Sequence, residues 1–179
     1  MRHLIFDRET TNLIHNSGQP LHKQPSILEI FCLVLDDEKG WTEVEIMHHF
    51  LNPGIPVPAK VTQITGITSD QVKSAPSFKA IAEPLGALLG SADRVIAHNL
   101  SYDMAVVNFE YQRLAQAIRW PAGWVCTVEA TESLKGHRLN LKALHTELFG
   151  AGFEGAHGAE HDARATARCY IELVKRGEL

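Results

Sequence analysis

The sequence predicts an α/β fold built on a single sheet of mixed direction, and two observations carry that expectation. Three apolar, strand-like runs come first, at 4–6, 27–35 and 44–51, with no helical pattern between them. From residue 68 onward, amphipathic helical patterns alternate with short apolar runs at 94–98 and 124–128. A meander followed by helix–strand alternation gives a sheet with both antiparallel and parallel neighbours.

Taken in order, the first strand is Leu4-Ile5-Phe6-Asp7-Arg8-Glu9, an apolar run that ends in two carboxylates one residue apart. Side chains repeat every second residue along a strand, so Asp7 and Glu9 are expected on the same face at its exit. Asn12 to Ser26 reads as a polar loop punctuated by Asn16, Ser17, Gly18, Pro20 and Pro25. ILEIFCLVL at 27–35 is apolar on both faces, and Asp36 to Gly40 closes it with a turn. Val44, Ile46, His48 and Phe50 then alternate with more polar residues, as in a half-buried strand antiparallel to its predecessor. Asn52 to Gly66, with three prolines and two glycines, is expected to be irregular. Thr68-Ser69-Asp70 and Ser77 offer N-cap side chains for two helices, the longer reaching about Leu89. RVIAH at 94–98 makes a fourth strand, followed by a helix to about Ala117 with Asp103 near its start, where the helix dipole favours an anion. Trp124 to Val128 makes a fifth strand. Helices follow at 139–149 and 162–175, the last with Ala163, Ala167, Tyr170, Ile171 and Val174 on one face.

A chain of 179 residues, 45% of them hydrophobic, is expected to form one domain, residues 1–179. No apolar run approaches the roughly 20 residues of a membrane span, and no signal-peptide pattern opens the chain, so a soluble cytoplasmic protein is expected, without a membrane partner. Cys32, Cys126 and Cys169 form no CxxC pair and read as reduced thiols. A formal charge of −4 argues against a broad basic grip on nucleic acid. If nucleic acid is the substrate, metal ions must supply the local positive charge.

Asp7, Glu9, Asp103 and Asp162 all fall at strand ends or on adjacent helices. Magnesium prefers oxygen ligands, and two ions roughly 3.5 to 4 Å apart can clamp the attacking and leaving oxygens of a phosphoryl displacement. His157, five positions before Asp162 in a glycine-rich stretch, can stand over such ions. A neutral imidazole there can take a proton from an attacking water.

These segments resemble the DEDDh 3′-to-5′ exonucleases, DnaQ-like members of the ribonuclease-H-like superfamily. Phe6-Asp7-Arg8-Glu9-Thr10-Thr11 is similar to the first motif, His98 to Asp103 to the second, and His157 to Asp162 to the third. Fainter echoes are Ile27-Leu28-Glu29-Ile30, Ile64-Thr65-Gly66-Ile67-Thr68 and Leu139-Asn140-Leu141. The resemblance implies a ribonuclease-H-like sheet of order 3-2-1-4-5 with strand 2 antiparallel to the rest. It implies two magnesium or manganese ions on Asp7, Glu9, Asp103 and Asp162, with His157 as general base and nucleoside 5′-monophosphates as products. The substrate would be single-stranded DNA or short RNA with a free 3′ end. Thr10, Thr11 and Leu13 correspond to positions that meet the terminal nucleotide. Tyr102 takes the place of a phenylalanine, and Thr65, His98 and Asn99 border the same site. A polymerase or a second copy of the chain would be the protein partner. A catalytically weak binding or proofreading module of the same fold is the alternative.

Four residues depart from the pattern or invite other readings. Arg8 stands where relatives carry an apolar or small residue and, by alternation, is expected to point away from the metals into the layer beneath. Asn12 replaces a common glycine and is expected to preserve the turn through its tolerance of positive φ. Thr65 stands where many relatives carry histidine. His161 lies four residues after His157, but the pair lacks the H-E-x-x-H zinc pattern and His161 reads as a solvated helix-start residue. Trp41, Trp120 and Trp124 read as packing residues, His98 as a structural hydrogen-bonder or substrate contact, and Glu110, Glu129 and Glu132 as solvated.

Overall fold

Arg2–Thr10 forms β1, and every other strand is placed relative to it. In the computed structural model, which describes residues 1–14, 19–155 and 157–179, β1 pairs antiparallel with β2 (Ile27–Asp36) and parallel with β4 (Arg94–Ala97). The loop markers Asn16, Ser17 and Gly18, and Ala156 beside the third motif, lie outside these residues. β2 pairs antiparallel with β3 (Thr42–Phe50), and β4 pairs parallel with β5 (Gly123–Cys126). The sheet order is therefore β3-β2-β1-β4-β5, as the motifs imply.

The doubly apolar sequence of β2 follows from helices on both sides of the sheet. Leu4, Phe6, Cys32, Val34, Val95 and Ala97 face a layer made by α3 (Phe78–Gly90) and α4 (Leu100–Arg113). Ile5, Phe31, Leu33 and Ile96 face α7 (Ala159–Lys175), whose Ala163, Ala167 and Tyr170 form the inward stripe expected from the sequence. Each fully buried Leu, Ile or Phe here contributes roughly 1.5–3 kcal/mol. α6 (Leu141–Phe149) packs on the outer side of α7 through Leu144, Leu148, Cys169 and Leu173.

The structure corrects several sequence expectations. Residues 52–66 are not wholly irregular: Ala59–Thr65 forms α1, with Pro58 as its N-cap and Gly66, at φ 75°, as its C-cap. The proline and glycine bound this helix instead of forbidding it. α2 (Ser69–Lys73) is capped as expected by the Thr68 side chain, which accepts from the Gln71 amide. β5 stops at Cys126, and α5 (Thr127–Lys135) starts at once; no side-chain cap announces it. α4 ends at Arg113 instead of about Ala117, and α7 begins one turn earlier than expected, so Asp162 lies inside it. Val44 and Ile46 are exposed, because α7 packs over β1 and β2 and leaves the edge strand uncovered. Trp124, on the other edge, is 60% exposed and is not a core residue. Glu110 is buried, and its carboxylate accepts from the Ile27 amide at 2.9 Å, tying α4 to the start of β2.

Candidate active site

Asp7 and Glu9 share the α7 face of β1, as alternation requires. Asp162, in the first turn of α7, comes down beside them, so that one carboxylate oxygen from each of Asp7, Glu9 and Asp162 lies within 4.8 Å of the others. Two main-chain contacts, one to Asp162 itself and one to Glu29, fix the start of α7. The His157 amide donates to its Oδ2 at 3.2 Å, and the Ala159 amide, at the start of α7, donates to Glu29 Oε2 at 3.2 Å. Glu29 sits opposite Glu9 in the β1–β2 register, is buried, and has His48 Nε2 2.7 Å from its other oxygen. Glu29 thus positions the end of α7 that carries Asp162. Its signal in the sequence was a lone charge within an otherwise apolar strand.

Asp103 reaches the site from α4, which follows Asn99 in left-handed conformation (φ 84°). It is only 1% exposed and lies outside the close trio. Its Oδ1 is 3.0 Å from an Arg8 guanidinium nitrogen, although the pair lacks the alignment of a hydrogen bond. The Arg8 guanidinium also lies 4.4 Å from the centroid of the Tyr102 ring, and the Tyr102 hydroxyl donates to the Asn12 carbonyl at 3.1 Å. Arg8 does project into the α4 layer, away from Asp7 and Glu9. It does not leave the site, however, because Asp103 enters from that layer.

Burial and mutual repulsion dominate the electrostatics. Burial, followed by the Asp103 charge, holds Asp7 well above the carboxylate range. Burial and then Asp162 push Glu9 up to about 7, and burial pushes Asp103 up to about 7 despite the opposing pull of Arg8. Burial also raises Asp162, whose Oδ1 is buried without a hydrogen-bond partner. An all-oxygen donor set with such an orphaned carboxylate fits a hard divalent cation. An acid with a raised folded-state pKa binds more protons folded than unfolded, so folding stability falls as pH rises toward that pKa. His98, which burial pushes down to about 4, acts in the opposite direction, but only below its ordinary value of 6.5. Between about pH 6.5 and about pH 8 the carboxylates therefore decide the sign. In EDTA the melting temperature is expected to fall across that window, and millimolar magnesium at the upper end to restore it; a flat metal-free profile would contradict the repulsion.

Beside the trio a cleft of about 270 Å³ is lined by Glu9, Thr10, Asn12, Leu13, Lys60, Val61, Ile64 and Thr65. Leu13 is 74% exposed at its edge. Lys60 and Val61 went unrecognised in the sequence because their segment, α1, was expected to be irregular. The structure does not bring all candidate contacts into this cleft. Thr11 is buried and its hydroxyl accepts from the Ser26 amide at 3.0 Å. His98 is half-buried, with Nδ1 2.8 Å from the Thr127 hydroxyl, which favours the structural reading. Tyr102 offers one ring face to Arg8. Asn12 is not among the described residues with positive φ, so its turn does not use the left-handed tolerance expected of it.

His157 is exposed and itself adopts φ 70°, an uncommon conformation for a residue with a side chain. Gly155, two positions earlier, has φ 76°, and an added Cβ would lie 2.6 Å from the His161 ring. His161 is exposed at the start of α7, as read from the sequence, with its ring beside Gly155. Gly155→Ala combines a disfavoured φ with a clash and is expected to cost about 1–2 kcal/mol. The melting temperature should drop by about 2–4 °C per kcal/mol, and kcat should fall with the displaced loop; an unchanged kcat would separate this loop from the chemistry.

Comparison with known proteins places the chain in a family. A family model described as Exonuclease, RNase_T, matches residues 4–170. The PolC-type DNA polymerase III of Bacillus subtilis (strain 168) is 28% identical over 177 residues, which cover 97% of this chain and 11% of the polymerase. That of Listeria monocytogenes (serovar 1/2a) is 30% identical over 175 residues, covering 96% and 11%. The chain thus spans about a tenth of these relatives' length. Among solved structures, the nuclease domain of 3′hExo, described as a DEDDh family member bound to rAMP, superposes with a TM-score of 0.78 at 17% identity, covering 98% of this chain and 92% of that one. Exonuclease X in complex with 5′ overhanging duplex DNA gives 0.68 at 21% identity, covering 98% and 93%. This chain belongs to the RNase_T exonuclease family and shares the ribonuclease-H-like fold of its solved structural neighbours.

Proposed function

We propose that residues 1–179 form one exonuclease domain that removes nucleotides from a free 3′ end of single-stranded DNA or short RNA, releasing nucleoside 5′-monophosphates. The observation that carries this reading is the convergence of Asp7, Glu9 and Asp162 within 4.8 Å beside an open cleft. Asp7, Glu9, Asp103 and Asp162 would hold two magnesium or manganese ions. When bound, such ions activate water and offset the charge that develops on the phosphate. The protein's own residues do the rest. His157, exposed on the loop that also anchors Asp162, takes a proton from the attacking water. Water oxygen joins phosphorus as the bond to the 3′ oxygen breaks, and the departing oxygen takes a proton from solvent to leave a 3′ hydroxyl on the shortened strand. Thr10, Leu13, Ile64 and Thr65 form the cleft for the terminal nucleotide, which sequence-tolerant apolar contact suits. A cytoplasmic setting accords with three buried free cysteines, and among the described residues no helix is long and apolar enough to cross a membrane.

The PolC relatives favour a second reading, that of a proofreading module working beside a polymerase. The Arg8–Asp103 pair favours slow intrinsic turnover within either reading. The test is degradation of 5′-labelled DNA and RNA oligonucleotides of several lengths by the purified chain. A magnesium-dependent descending ladder is expected. Binding of single strands without any ladder, in magnesium or manganese, would leave only the weak-module reading.

A further inference from the structure

We propose that Arg8 is a resident cation of the metal site, holding Asp103 in a buried ion pair so that the second divalent ion binds in competition with its guanidinium. This deepens the two-ion reading above and rests on it. Four observations combine. Arg8 is 8% exposed and Asp103 1%, so neither charge is dispersed by water. Their 3.0 Å separation makes each the nearest compensation for the other. Tyr102 closes over the guanidinium at 4.4 Å, and its hydroxyl is tied to the Asn12 carbonyl, which holds the pair beneath a fixed lid. Finally, Asp7, Glu9 and Asp162 approach one another closely without Asp103. The site is therefore divided. Of the four carboxylates, Asp103 alone is in direct ion-pair contact with Arg8.

The two halves should bind metal differently. An ion among Asp7, Glu9 and Asp162 meets donors that the guanidinium does not contact directly and need not displace Arg8. An ion drawing on Asp103 must displace a guanidinium from a buried partner and accept a like charge nearby, so its affinity is lowered. Arg8 is thus a positioning residue, acting through Asp103.

The test is manganese binding to the metal-free protein, followed by electron paramagnetic resonance of free ion and by thermal shift, both independent of turnover. The wild type is expected to bind one ion well and a second much more weakly. In Arg8→Met, whose unbranched side chain can remain under Tyr102, the second ion should bind at least ~tenfold more tightly, about 1.4 kcal/mol. The metal-induced rise in melting temperature should also be larger than in wild type. A purely structural Arg8 would lower the melting temperature equally with and without metal. Arg8→Gln, which keeps a polar side chain but removes the charge, serves if the methionine variant does not fold, with the same expected direction. Equal second-ion affinity in wild type and variant, with Asp7→Asn abolishing binding, would overturn the role of Arg8 and leave the metal site intact. Absence of manganese binding in both proteins would overturn the metal-site reading and this inference with it.

Discussion

Asp7→Asn is expected to lower magnesium-dependent hydrolysis by at least ~10³-fold, about 4 kcal/mol of lost transition-state stabilisation, while making the metal-free protein more stable. The two effects have one origin. Asp7 lies in the centre of the acidic site, and burial together with Asp103, Asp162 and Glu9 resists its ionisation. Removing its charge removes a metal donor, and with it the repulsion that the metal would otherwise relieve. At about pH 8 in EDTA the variant should melt above wild type, each kcal/mol of relief being worth about 2–4 °C, and added magnesium should narrow or reverse the gap. A variant that melts below wild type in EDTA would show that the Asp7 carboxylate has a structural role beyond its charge. Turnover close to wild type would remove Asp7 from the reaction.

His157→Ala is expected to slow the chemical step by roughly 10²- to 10⁴-fold, the range for loss of a general base. Manganese affinity should be nearly unchanged, because Asp162 is held by the main-chain amide of residue 157, which the substitution keeps. The position has φ 70°, so His157→Asn is a useful companion: asparagine tolerates that conformation better than alanine and also lacks a basic nitrogen. If both variants lose activity alike, the imidazole is responsible. Recovery in the asparagine variant would assign the effect to backbone strain, and near-normal turnover in both would leave proton removal to another group.

The parts of the structure that follow from short-range rules were legible in the sequence. Period-2 alternation placed Asp7 and Glu9 together, and a 3.6-residue stripe placed Ala163, Ala167 and Tyr170 against the sheet. The strand order came from motif resemblance instead, since no local rule fixes which strands become neighbours. What was missed depends on contacts between distant segments. Proline and glycine concealed α1, and with it Lys60 and Val61 on the cleft, because the same residues that break a helix also bound one. Glu29 drew no role of its own from the sequence, because the Ala159 amide that it meets lies 130 positions away. Glu110 read as solvated because its partner, the Ile27 amide, lies 83 positions away. For Arg8, alternation gave the correct layer but not that Asp103 enters the site through that layer.

The central claim is that the acids and His157 direct water to the terminal phosphodiester of a 3′ end. The most direct measurement is hydrolysis of a single-stranded oligonucleotide with magnesium in ¹⁸O-labelled water, with mass analysis of the first mononucleotide released. The expected product is the 3′-terminal residue as a nucleoside 5′-monophosphate carrying one labelled oxygen on phosphorus. Release of a nucleoside 3′-monophosphate, of the 5′-terminal residue, or of unlabelled phosphate would contradict the account.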